Sequence, residues 1–310
     1  MKYALNYRSG PDGLHLYDRK SGTNILLDEF EISSENWSPA PRQVSIALTN
    51  ACNLQCPFCY APKQLAELSY VQLQTWLDEL NTNGCLGIGF GGGEPTLYKN
   101  LPLLCDYINN HTKLAVTFTT NAHNLSVSLA DQLKGRVAYV RVSMDGVGET
   151  YEILRGKSFA SLCSRFERIR SIAAFGINYV VNSQTFPDLD EAVMVAADHG
   201  ATELLLLPEL PTPGREGIDP VSVSNLKEWV YSYSGPLRLS VSEAGADKLP
   251  TCDPLVKEKG LRSYAHIDAS GILKRSSFDS VGVKIGDGGI IKTLSKLRPI
   301  PVEVGYENLA

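Results

Sequence analysis

The sequence predicts an α/β fold: an incomplete (β/α)6 TIM-like barrel with a β-ribbon before it and a small hairpin-and-helix extension after it. Three observations carry this prediction. From Val44 to about residue 210, short apolar runs alternate with segments of helical periodicity, the pattern of a parallel sheet covered by helices. Six such units can be counted, two short of the closed eight-fold barrel. Before residue 40 the alternation is absent, and short β-type runs are separated by turn residues. The predicted divisions are 1–40 for the ribbon, 41–245 for the core barrel and 246–310 for the extension.

In the ribbon, Tyr3–Tyr7, Leu14–Tyr17 and Asn24–Leu27 read as strands, parted by Gly10-Pro-Asp-Gly13 and Lys20-Ser-Gly22. Val44–Leu48 opens the barrel. The first helix starts near Ser69, which forms a capping-box pattern with Gln72, and its apolar face is Leu73, Trp76, Leu77 and Leu80. Leu86–Phe90, Ala115–Phe118, Val137–Val142, Ile177–Val181 and Glu203–Leu207 are the following strands. Between the last three, Leu162, Phe166, Ile169 and Ala173 form one helical stripe, and Leu189, Val193 and Ala196 another. Gly176 and Gly200 sit where a helix C-terminal glycine belongs. After residue 245 the pattern weakens to a hairpin, Tyr264–Ile267 and Ile272–Arg275 around Asp268-Ala-Ser-Gly271, and a helix over 290–297.

A chain of 310 residues can bury one large core. Its net charge of −5 implies no general affinity for nucleic acid. No run of eighteen apolar residues occurs, so no membrane-spanning helix is expected, and with no signal peptide a cytoplasmic enzyme is the expectation.

Cys52, Cys56 and Cys59, spaced C-x3-C-x2-C, follow the first barrel strand. Three thiolates on a short loop suit one face of a 4Fe-4S cluster, and with no fourth cysteine nearby one iron is left open to a substrate or cofactor. Zinc is the main rival, but a structural site wants four Cys or His ligands, and His111 and His123 are far along the chain. Disulfides fit poorly with an odd count of seven cysteines. Cys85, Cys105 and Cys163 read as small core residues. Gly91-Gly-Gly-Glu-Pro-Thr96 follows the second strand, and both motifs lie at strand C-terminal ends, the reactive end of such barrels.

The two motifs together resemble the core of the radical S-adenosyl-L-methionine (SAM) enzymes, over about residues 42 to 210. That resemblance implies three cysteine-bound irons and a fourth chelated by the methionine amino and carboxylate groups. It also implies reductive cleavage of the cofactor to a 5′-deoxyadenosyl radical that abstracts hydrogen from substrate. By matching position, Gly91, Gly92 and Gly93 would let the backbone approach the methionine moiety, and Glu94 would accept from its ammonium group. Phe58 would meet adenine, Ser143 and Asp145 the ribose, and Arg155 the methionine carboxylate. Asn121 and Asn182 would be wall residues, although strand-end asparagine also makes ordinary turns.

The tail hairpin resembles the start of an auxiliary-cluster extension, but Lys274-Arg-Ser-Ser277 stands where a cysteine is expected, so one cluster only is predicted. From Lys257 to Arg298 there are nine Lys/Arg against four Asp/Glu, a solvated face or a site for an acidic peptide. Leu5–Arg19 and Arg42–Cys52 resemble the spliceases, radical maturases of ribosomal peptides with nitrogen-fixation-type leaders. Membership would imply excision of tyramine from a Tyr-Gly site of a precursor peptide, leaving an α-keto-β-amino amide. It would also imply a small accessory leader-binding protein and an electron donor such as flavodoxin or ferredoxin. No catalytic residue is assigned; Glu209, in the proline-rich loop Pro208–Arg215, and Tyr264, His266 and Arg275 are candidates to face the substrate opening. The alternatives are epimerisation or crosslinking of another peptide residue, a small-metabolite substrate, or a metal-binding module that is not an enzyme.

Overall fold

The computed structural model describes residues 5–212, 214–242, 245–246 and 249–297. Along β4 (Gln43–Thr49) every second side chain, Val44, Ile46 and Leu48, is apolar and fully buried. The same alternation runs through β5 (Gly87–Gly92), β6 (Ala115–Thr120), β7 (Tyr139–Ser143), β8 (Phe175–Val181) and β9 (Glu203–Pro208). One face of the sheet therefore joins the helix-covered core. The other turns half-buried Ser45, Gly89, Thr117, Arg141 and Asn178 toward the lumen.

Crossovers between successive strands run through α1 (Tyr70–Thr82), α2 (Leu101–His111), α3 (Val127–Leu133), α4 (Gly148–Arg155), α5 (Phe159–Cys163), α6 (Phe166–Ile172) and α7 (Leu189–Asp198). Ser69 caps α1 by accepting from the Gln72 N–H, and Leu73, Trp76, Leu77 and Leu80 are its buried residues, as their spacing implies. After β9 come α8 (Pro220–Ser232), β10 (Arg238–Val241), β11 (Tyr264–Ile267), β12 (Ile272–Lys274), β13 (Val283–Lys284) and α9 (Gly289–Leu297).

The sheet order is β10-β9-β8-β7-β6-β5-β4-β11-β12-β13. All neighbours from β10 to β11 are parallel, so two parallel strands flank the six that were expected. Among the described residues β10 and β13 do not pair, and the barrel is open, the incomplete form predicted. The tail hairpin β11–β12 forms as read, but its first strand also continues the core sheet, with Tyr264 opposite Gln43 and Ile267 opposite Ile46.

Two local readings are corrected. Gly176 lies inside β8, where an added Cβ would come within 2.4 Å of the Tyr139 hydroxyl and 2.9 Å of the Glu203 carbonyl; close strand approach, not a helix cap, requires glycine there. Gly200, with φ of +86°, does follow α7 as expected. The Leu162–Ala173 stripe is divided between α5 and α6, where the Ser164 hydroxyl donates back to the Ser161 carbonyl at 2.8 Å.

The ribbon is an antiparallel sheet of β1 (Leu5–Gly10), β2 (Gly13–Asp18) and β3 (Asn24–Leu27), and it covers the N-terminal ends of the barrel strands. Fully buried Arg8 ion-pairs with Glu258 at 2.6 Å and donates to the carbonyls of Ala40 (2.6 Å), Gly84 (3.1 Å) and Arg262 (3.0 Å). Asp12 accepts from the Lys257 and Glu258 N–H groups at 2.9 and 2.8 Å. Residues Tyr3 and Ala4 of the predicted first strand, and the extension beyond Leu297, including Arg298, lie outside the described residues. Among the described residues no helix is long and apolar enough to cross a membrane.

Candidate cofactor and substrate site

The cysteine loop leaves the C-terminal end of β4 and is tied to the glycine motif of β5. Gly93 N–H donates to the Thr49 carbonyl at 2.7 Å and Glu94 N–H to the Ala51 carbonyl at 2.8 Å. Two of the three glycines are required by this packing. An added Cβ on Gly92, whose φ is +115°, would lie 2.4 Å from the Thr49 carbonyl, and one on Gly93 would lie 2.1 Å from that of Ala51. At Gly91 nothing lies within 4 Å, so its Cβ face is open space beside the cysteine loop.

Cys52 is exposed and Cys56 and Cys59 are half-buried. The loop is turned by Cys59 N–H to the Cys56 carbonyl (3.2 Å) and Leu54 N–H to Cys52 Sγ (3.4 Å). Burial pushes the Cys52 and Cys56 thiols up, and at Cys56 the Arg155 guanidinium, 3.3 Å from Sγ, pulls back toward the thiolate. Among the described residues no group of three or more His, Cys, Asp and Glu could hold a single metal ion. Three free thiols on one loop are instead the donor set that a cluster takes, one thiolate to each iron. Cys85 and Cys105 are buried, with burial pushing each thiol up to about 12, and Cys163 packs half-buried against the core. Cys252 is exposed.

Glu94 is buried and already occupied. Its Oε1 accepts from Thr96 N–H (3.1 Å), Thr96 Oγ1 (2.7 Å) and Thr120 Oγ1 (2.6 Å), and its Oε2 from Asn121 N–H (2.8 Å). Burial pushes the carboxyl up and these donors, Thr120 first, bring it back. Only Oε2 retains acceptor capacity for a further cation. The Asn121 side chain reaches back over the loop to Asn53 Oδ1 at 2.8 Å.

Arg155, at the end of α4, joins several predicted positions. Its Nη2 pairs with Oδ2 of buried Asp145, its Nη1 meets Cys56, and its guanidinium carbon lies 5.4 Å from the Phe58 ring centroid. Burial acts to lower its pKa, but Asp145, Cys56 and Tyr151 raise it further, so the charge is fixed. Arg155 Nε is buried without a partner, an orphan donor beside the cysteine loop. Asp145 Oδ1 also accepts from Val180 N–H at 2.6 Å, so this carboxylate is engaged by protein donors. Ser143 ends β7 opposite Asn178 on the lumen face.

Asn182, after β8, is engaged at its own strand end and by Glu209. Its Oδ1 accepts from Gln184 and Thr185 N–H, a local turn, and its Nδ2 donates to Glu209 Oε2 at 2.6 Å. Glu209 is buried and paired with Arg215; burial acts to raise its pKa, but Arg215 and Asn182 hold it below the usual range. Pro213 of that loop is outside the described residues. Tyr264 and His266 share one partner that the sequence reading missed, Ser45 Oγ, at 2.6 Å from both the tyrosine hydroxyl and His266 Nδ1. Arg275 does not face the opening and instead donates to the Leu297 carbonyl at the end of α9, at 2.7 Å. Thr120, Asn53 and Asp268 were also missed; the only signal for Ser45 was a polar residue on the alternate face of an apolar strand.

The Radical SAM superfamily model matches residues 46–195. This part of the chain belongs to the radical SAM superfamily, whose cofactors are SAM and a 4Fe-4S cluster. Two further similarities bear on the particular enzyme. The chain is 32% identical over 185 residues to the mycofactocin maturase MftC of Mycolicibacterium smegmatis, covering 57% of this chain and 46% of that protein. It is 30% identical over 179 residues to the antilisterial bacteriocin subtilosin biosynthesis protein AlbA of Bacillus subtilis, covering 55% and 39%. The chain thus spans less than half the length of these curated relatives. Its fold is similar to that of Streptococcus suis SuiB in a crystal structure with the precursor peptide SuiA, at TM-score 0.73 and 16% identity over 91% of this chain and 84% of that one. Orphan Arg155 Nε, the open face of Gly91 and the three free thiols all fit the superfamily's cofactors.

Proposed function

We propose that this chain is a radical SAM maturase that modifies a ribosomally made precursor peptide, and that it excises tyramine from a Tyr-Gly site. The observation that carries the reading is the convergence of the Cys52–Cys59 loop, the Gly91–Glu94 turn and the Arg155–Asp145 pair at the C-terminal end of the parallel strands. Cys52, Cys56 and Cys59 would hold the cluster. Gly91, Glu94 Oε2 and Arg155 would receive the methionine end of SAM, with Phe58, Ser143 and Asp145 on the nucleoside side and Asn121 and Asn182 as wall. When bound, the pair of cofactors supplies a carbon radical that removes hydrogen from substrate. The protein's part is to orient that radical and exclude water: buried Glu94, Asp145 and Arg155 keep fixed partners, so little reorganises when the site fills.

A peptide substrate is supported by the names of the relatives and by the open barrel, whose mouth can admit an extended chain. The reading includes a small accessory protein that holds the leader, and flavodoxin or ferredoxin as electron donor. The test is mass spectrometry of a Tyr-Gly-bearing precursor incubated with reconstituted enzyme, reductant, SAM and the accessory protein. Loss of the mass of tyramine is expected. An unmodified precursor alongside active 5′-deoxyadenosine release would defeat the splicease assignment, and a different mass change would point to another peptide modification.

A further inference from the structure

Next to the cysteine loop lies a cavity of about 300 Å3, reaching from Tyr60 and Gly92 to the tail hairpin. Its lining combines two kinds of chemistry. One is an aromatic corner, where the rings of Tyr60 and Phe278 stand 4.5 Å apart at 44°. The other is charged: Lys274 is almost fully buried, with Nζ held 3.0 Å from Asp268 Oδ2. Asp268 cannot turn away, because its Oδ1 accepts from the Ser270 and Ile272 N–H groups at 2.9 and 3.0 Å. An ammonium has three donors, and this ion pair uses one.

His266, opposite Lys274 in the hairpin, also lines the cavity with its Nδ1 engaged by Ser45, which leaves Nε2 for a ligand. Burial, and then Lys274, push its pKa down to about 4, so it is a neutral ring. Thr212 adds a buried hydroxyl without a partner. Asp268 and Asp279 against Lys274 leave the lining net negative, which opposes an anionic ligand, while Lys274 opposes a cationic one. What fits is neutral, largely aromatic and tipped with one oxygen.

We propose that this cavity is the substrate subsite, that it takes a neutral phenolic side chain of a peptide, and that Lys274 positions the ring by donating to the phenol oxygen. The proposal deepens the reading above and rests on the cofactors lying beside Gly92. Lys274 is a positioning residue, and Phe278 and Tyr60 are the stacking wall. The test uses the reconstituted full chain and two probes, 4-ethylphenol and 4-ethylbenzoate, with binding followed by saturation-transfer NMR. The phenol is expected to bind about tenfold more tightly than the benzoate, and Lys274→Met to lose about tenfold, the scale of one hydrogen bond to a charged donor. Phe278 is half exposed, so Phe278→Ala folds and gives an independent loss of phenol binding. Benzoate binding as well as phenol, or phenol binding unchanged in both variants, overturns the proposal. Iron content and SAM affinity, measured on the same samples, decide the cofactor reading separately.

Discussion

Glu94→Gln tests the site most sharply because the carboxylate has two sets of partners. Thr96 and Thr120 donate three hydrogen bonds to Oε1, and Asn121 N–H donates one to Oε2. Glutamine has one acceptor oxygen, and keeping it toward the threonines turns the amide NH2 against Asn121 N–H. One buried backbone donor then loses its partner, a cost of about 1–3 kcal/mol in folding stability. If Oε2 also accepts from the SAM ammonium, affinity drops by about 1.5–3 kcal/mol, roughly ten- to 150-fold. Urea unfolding reads the first quantity, and calorimetric titration of SAM into anaerobically reconstituted protein the second. A stability loss with unchanged affinity would refute the cofactor contact and leave Glu94 as a strand-end brace. A loss below about 0.5 kcal/mol in stability would refute the hydrogen-bond argument itself.

Reconstituted protein is expected to carry about four irons per chain. Iron and its absorbance should vanish when Cys52, Cys56 and Cys59 are replaced together and persist in Cys252→Ala, whereas about eight irons would mean a second cluster. Arg155→Leu strands buried Asp145 without its cation and should cost about 3–5 kcal/mol by urea unfolding, with Arg155→Lys recovering part of it. His266 gives a pH signature. The unfolded chain protonates it near its ordinary value and the folded protein only near 4, so stability falls as pH drops through that interval. At pH 5 the loss is about 2 kcal/mol relative to pH 7, and His266→Gln should remove it from the measured dependence.

Where the fold was legible, a periodic apolar pattern coincided with a local stop signal. The α1 face and its Ser69 cap are such a case, and so are β4 to β9 with their outward apolar residues. β10 was missed because Arg238-Leu-Ser-Val241 is short, polar on alternate positions and exposed at its start. That β11 joins β4 was not legible either, since hairpin residues declare their local turn but not the distant strand whose edge they complete. The site divides the same way. Cysteine spacing and the glycine-glutamate motif are local and were read directly. The Thr120 and Asn121 donors to Glu94 and the Ser45 bridge to Tyr264 and His266 come from different strands, brought together by the register of the sheet.

The Arg8–Glu258 pair sets an order of events in biosynthesis. The ribbon is synthesised before the barrel, yet Arg8 meets Glu258, and Asp12 the Lys257 and Glu258 N–H groups, only after residues near 258 have emerged. The same is true of β4, whose edge opposite β5 is completed by residues 264–267. Contacts spanning some 250 positions form late because the loop between them must close first. The nascent chain therefore exposes an unfilled strand edge directly ahead of its three thiols until residues 264–267 have emerged. The edge beside the thiols is thus closed by a segment some two hundred positions downstream, and truncations ending before residue 264 should accumulate as aggregates without iron.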